Sequence, residues 1–135
     1  MNSEKRTISP EKRHRARKFA VQALYQWKMS GDNLEEISRG FLADMNHKKT
    51  DADYFSELTQ GVDENVNDID KKFIDFLDRK FEEIGPVELS ILRLGTFELA
   101  YSHSVPYKSV MNEAIELAKT FGPEDSYKYI NGVLD

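Results

Sequence analysis

The chain has 135 residues, 39% hydrophobic and 32% charged, which fits one globular domain with a real core and excludes wholesale disorder. It holds no cysteine and three scattered histidines, so disulfides, thiolate chemistry and sulfur-ligated zinc are excluded and no metal site is expected. The net charge of −5 conceals a split: residues 1–28 carry eight Lys/Arg against two Glu, leaving eleven basic against 22 acidic groups elsewhere.

No apolar run approaches the length of a membrane span, and the N-terminus lacks the apolar core of a signal peptide, so a cytoplasmic protein is expected. Residues 1–8 read as a flexible basic segment, and 9–135 as one all-helical domain. Ser9-Pro10-Glu11 predicts a helix start, with a capping hydroxyl, a preset φ and an acid near the positive end of the dipole. The apolar stripe Ala16, Ala20, Ala23, Leu24 and Trp27 carries this first helix to Ser30-Gly31. Asp32 and Glu35 predict a capping box for a second helix bearing Leu34, Ile37, Phe41, Leu42 and Met45. Asn46 to Thr50 reads as a polar loop. A third helix with Phe55, Leu58, Val62 and Val66 ends near Asn67, and a fourth carries Ile69, Phe73, Phe76, Leu77 and Phe81 as far as Gly85-Pro86.

From Val87 to Tyr101 apolar residues surround the helix on all sides, which predicts the buried centre of the fold. Val110, Ala114, Leu117, Ala118 and Phe121 mark a sixth helix, closed by Gly122-Pro123, and a short seventh begins around Glu124–Ser126. The expected outcome is an all-α fold of about seven helices in two packed subdomains, about 9–84 and about 86–135.

Lys12-Arg13-His14-Arg15-Ala16-Arg17-Lys18 is the strongest electrostatic feature, and cations in the first turns of a helix oppose its dipole. Arg13 and Arg17, four apart, share one face, and guanidinium groups fork onto phosphates and stack on bases. Such a turn is either a solvated helix end or a contact for RNA or DNA, and in the second case joint replacement of Arg13 and Arg17 by Ala is expected to weaken binding and flatten its salt dependence. Tyr25, Tyr127 and Tyr129 are candidates for base stacking beside such a patch. Neither a nucleophile elbow, a zinc-protease helix, a phosphate-cradling glycine loop nor a dinucleotide fingerprint is present, so a non-catalytic protein without cofactor is expected.

Arg13-His14-Arg15-Ala16-Arg17 followed by Ala20-Val21-Gln22-Ala23-Leu24-Tyr25-Gln26-Trp27 resembles the opening helix of the NusB family of transcription antitermination factors. Val105-Pro106-Tyr107-Lys108, Asn112 to Lys119, Phe121 to Ser126 and Asn131-Gly132-Val133-Leu134-Asp135 resemble that family's closing segment. The resemblance covers nearly the whole chain, with 32–84 matching mainly in helix pattern. It implies boxA RNA of ribosomal RNA leaders and NusE, a small-subunit ribosomal protein, as partners, with RNA polymerase and other Nus factors joined indirectly. By position it implies an RNA surface of Arg13, His14, Arg15, Arg17, Tyr25, Asp125, Lys128 and Tyr129, and a NusE contact at Glu82 and Glu88. The two RNA-facing stretches then have to meet in space. Two departures stand out: His14 interrupts what is often a continuous arginine run, and many relatives continue past Asp135. Monomer and homodimer both stay open. Two rival readings are a NusB-like domain of an RNA cytosine methyltransferase, against which no catalytic cysteine or cofactor-binding segment follows Asp135, and a helical DNA-binding regulator.

Overall fold

The computed structural model describes residues 8–135, in which every regular element is helical. The expected basic segment 1–8 therefore lies outside the described residues, Ile8 excepted. Six α-helices follow in order: α1 (Pro10–Ser30), α2 (Leu34–Asp44), α3 (Ala52–Ile74), α4 (Pro86–Tyr101), α5 (Tyr107–Phe121) and α6 (Ser126–Leu134), with a 3₁₀ turn at Phe81–Glu83. None of the described helices is long and apolar enough to cross a membrane.

The start of α1 follows its sequence signals. Ser9 has extended backbone angles and its hydroxyl accepts the Lys12 N–H at 3.2 Å, satisfying one of the donors a helix start leaves free. Gly31 ends the helix at φ 74°, a left-handed conformation that glycine adopts without a Cβ clash, and its N–H bonds to the Trp27 carbonyl at 2.9 Å. The cap of α2 differs by one residue from the expected Asp32–Glu35 box: Asn33 accepts the Glu36 N–H at 3.1 Å.

The expected third and fourth helices form one element. Asp51 caps α3 by accepting the Tyr54 N–H at 3.0 Å, and the helix bends at Asn65 (φ −122°, ψ 17°) without stopping. The Asn65 side-chain amide donates to the Gly61 carbonyl at 2.9 Å, so a side chain serves an acceptor within the bent turn. With α3 ending at Ile74, Phe76 falls outside the stripe and is 66% exposed. Phe81 instead reaches the core from the 3₁₀ turn, its ring 6.4 Å from that of Phe73.

Helix α4 is the centre, as its all-round apolar pattern predicts: Leu89, Ile91, Leu92, Leu94 and Phe97 are buried, and α1, α3, α5 and α6 all pack on it. Each fully buried side chain of this size contributes about 1.5–3 kcal/mol of transfer free energy, so this ring of contacts is a main source of stability. Close approach explains two glycines. A Cβ on Gly61 would lie 2.2 Å from the Phe97 ring, and one on Gly122 would lie 2.2 Å from the Ser126 hydroxyl at the α5–α6 turn.

Candidate nucleic-acid interface

The basic turns of α1 divide into an inward and an outward set. Arg13 and Arg17 stand in helical register with Ala16, Ala20 and Leu24, and they turn into the protein with that stripe, 7% and 4% exposed. Arg17 forks onto Glu98 of α4, with Nε 2.9 Å from Oε1 and Nη2 2.9 Å from Oε2. Its Nη1 also lies 3.8 Å from Glu113 of α5. Tyr54 of α3 donates its hydroxyl to the same Glu98 carboxylate. The Arg13 guanidinium sits 4.0 Å from the Tyr54 ring centroid, with Nε 3.8 Å from Asp51.

Arg13 and Arg17 do share one face, as their spacing predicts, and it is the buried one: both guanidiniums are withdrawn from solvent and their forks point at carboxylates and a ring. Burial pulls the Arg17 pKa down, yet the Glu98 bonds and charge outweigh it and hold the guanidinium above its ordinary value. Burial, then the Glu98 carboxylate, pushes the Tyr54 hydroxyl well above the usual tyrosine range, so Tyr54 stays protonated and remains a donor. No sequence motif marks Glu98 or Tyr54. A signal was present, because Glu98 is an acid in the last turn of a helix that is apolar on every side.

The outward set is Lys12, Arg15 and, partly covered, Lys18. His14 stands between the sets, with Nδ1 2.7 Å from Glu113 and its side chain 38% exposed. Farther along the same helix, about 16 Å from His14 at 1.5 Å per residue, Tyr25 is 38% exposed. It lines an apolar groove of about 550 Å³ with Val21, Met29, Phe41, Val87 and Phe121.

The closing segment lies elsewhere. Asp125 precedes α6 with left-handed backbone (φ 71°), and its carboxylate is 3.7 Å from the Lys128 ammonium. Tyr129 is half-buried, with a hydroxyl that finds no hydrogen-bond partner among the described residues and a ring covered at 4.0 Å by the Arg79 guanidinium. Burial raises its pKa, with Asp78 and Glu88 adding to the rise and Arg79 opposing it. Tyr127 lies beneath Lys119, 5.0 Å from the ring centroid. Glu82 is exposed in the 3₁₀ turn and Glu88 is half-buried in the first turn of α4.

The expected residues therefore do not converge on one compact patch. Tyr129 joins Arg79 and Glu88 near the start of α4, whereas Arg13 and Arg17 pack toward its far end at Glu98, about 15 Å along the helix axis. What connects the two regions is the length of α1, whose Tyr25 end shares a groove with Val87 and Phe121, just ahead of the turn into α6.

The NusB family model matches residues 14–135, which spans the outward cations from Arg15, the Arg17, Glu98 and Tyr54 of the buried network, and the closing segment. The chain belongs to the NusB family. A transcription antitermination protein NusB from Alcanivorax borkumensis is 50% identical over 127 residues, covering 94% of this chain and 85% of that protein. Its counterpart from Actinobacillus succinogenes is 49% identical over 135 residues, covering 100% and 94%. Among solved structures, NusB in a crystal structure of antitermination factors NusB and NusE in complex with dsRNA superposes with a TM-score of 0.80 at 31% identity, covering 90% of this chain and 92% of that one. T. maritima NusB also gives 0.80, at 27% identity over 96% of this chain and 90% of that one. The six-helix arrangement around α4 is thus the NusB-family fold.

Proposed function

We propose that this NusB-family chain is a non-catalytic transcription antitermination factor of the bacterial cytoplasm. It binds boxA RNA of ribosomal RNA leaders together with NusE, and through that complex acts on RNA polymerase. The observation that carries this reading is the outward face of α1: Lys12, Arg15, Lys18 and the half-exposed His14 gather on a protein whose net charge is −5. Such a face attracts a polyanion despite the overall charge, because the local potential decides encounter. A structural neighbour that contains NusE and RNA supports the choice of partners.

In this reading the RNA follows α1 from His14 and Arg15 toward Tyr25, and reaches Asp125, Lys128 and Tyr129 at the α6 end. Arg13 and Arg17 serve from behind, clamping α1 to Glu98 and Tyr54 so that the outward cations stand on a fixed helix. Glu82 and Glu88 offer acidic contacts for the basic ribosomal partner.

A titration of boxA RNA against the protein, with and without NusE and at several salt concentrations, tests the proposal. Tighter binding with NusE and affinity that falls as salt rises are expected. Efficient displacement of the RNA by duplex DNA at physiological salt would overturn it in favour of a DNA-binding regulator.

A further inference from the structure

The segment joining α2 to α3 reads in the sequence as a plain polar loop, yet in the structure it is an anchored platform for cations. The Asn46 carbonyl accepts the N–H groups of Lys49 and Thr50, both at 3.0 Å, and the Asn46 side chain accepts the Lys48 N–H at 2.9 Å. His47 Nε2 bonds to the Leu42 carbonyl at 2.9 Å, tying the loop to the end of α2. Thr50 is buried.

Two bonds then fasten the loop to α1: Asp51 N–H to the Lys12 carbonyl at 3.2 Å, and Arg15 Nη1 to the Lys49 carbonyl at 3.2 Å. The result places Lys48 and Lys49, both exposed, beside Lys12 and Arg15. Neither lysine has an ion pair among the described residues. The acids nearby are Asp51, which faces Arg13, and Asp53, which lines a shallow cleft with Ser9, Lys12 and His47.

Gathering these cations at the N-terminal end of α1 is unfavourable in the isolated protein, since like charges repel and the helix dipole presents its positive end there. A solvated surface explains single lysines, but it does not explain a hydrogen-bonded loop that brings two more cations to an already positive helix end. Bound phosphates relieve both penalties.

We infer that Lys48 and Lys49, with Lys12 and Arg15, form a second phosphate-binding site that holds the backbone of single-stranded RNA flanking the element bound along α1. The site extends the RNA surface past the end of the helix and reads charge, not sequence, because lysine ammonium groups meet phosphates as point charges. This inference rests on the RNA-binding reading above.

The test uses the full chain with NusE and two RNAs, the boxA element alone and the same element flanked on each side by about six uridines. For the unaltered protein the flanked RNA should bind more tightly and with a steeper salt dependence. In Lys48→Ala/Lys49→Ala the slope for flanked RNA should fall by about 1.4 in log–log terms, 0.7 for each phosphate contact on a single strand. That is roughly a sevenfold smaller loss of affinity between 50 and 200 mM salt. Binding of the short element should not change, and the melting temperature at low salt should rise with the repulsion removed. Equal slopes for the two RNAs in the unaltered protein, or an unchanged slope in the double variant, would overturn the second site while leaving boxA binding in place. If the short element fails to bind the unaltered protein with NusE, the underlying reading falls and takes this inference with it.

Discussion

Removing the Glu98 carboxylate is the sharpest perturbation of the network behind α1. In Glu98→Ala the Arg17 guanidinium, 4% exposed, loses both prongs of its fork, and the Tyr54 hydroxyl loses its acceptor. Breaking a buried pair from one side costs about 3–5 kcal/mol, because the remaining charge stays out of water with only the more distant Glu113, 3.8 Å away, to offset it. At about 2.1 cal/mol/K of unfolding entropy per residue, a chain of 135 residues loses about 11–18 °C of melting temperature for that cost. Thermal melts and urea titrations of Glu98→Ala, Arg17→Met and the double variant Arg17→Met/Glu98→Leu measure it. The double variant should lose much less than the sum of its parts, since no lone charge is left behind. A fall of under about 3 °C in Glu98→Ala, less than 1 kcal/mol on the same scale, would show that Arg17 reaches water and would refute the buried clamp on Glu98.

Three further outcomes are expected. Tyr54 ionises at a higher pH folded than unfolded, so its stabilising effect is full below about pH 10 and is lost as pH rises beyond it, by about 1.4 kcal/mol per pH unit. Urea midpoints across the alkaline range should therefore fall less steeply in Tyr54→Phe, and parallel curves would refute the coupling. Gly61→Ala forces a methyl into the Phe97 ring, and an overpacking cost of about 1–3 kcal/mol should appear in the same titrations; an unaffected midpoint would mean that the ring moves aside freely. Glu88→Lys should abolish NusE pull-down while leaving the melt nearly unchanged, and retained binding would move that interface elsewhere.

Much of the fold was legible because its signals are local. Ser9-Pro10, the stop at Gly31 and the all-round apolar pattern of α4 each act over a few residues, and each appears where the sequence places it. The bend at Asn65 was not legible as a bend. A weakened apolar stripe looks the same whether the helix ends or continues with a side chain serving a backbone acceptor, as Asn65 does for Gly61. The candidate site was legible in composition but not in direction. A run of cations at 12, 13, 15, 17 and 18 covers most of a helix circumference, and charge alone does not say which members face in. Helical register does: Arg13 and Arg17 fall in line with Ala20 and Leu24, and Glu98 is the acid that makes their burial tolerable. The role of Lys48 and Lys49 depends on bonds between loop and helix backbones, Arg15 to Lys49 and Asp51 to Lys12, which no spacing rule announces.

The left-handed turn at Asp125 sets the cost of placing a carboxylate at the α5–α6 corner. An L-residue at φ 71° stores backbone energy that glycine would release, and the Asp125 side chain makes no capping bond to α6 in return. Backbone geometry alone would therefore favour the smaller residue and a sturdier corner. The chain instead keeps an acid there, its carboxylate 3.7 Å from the Lys128 ammonium one turn on, so the corner gives up some backbone ease for a paired charge at its rim.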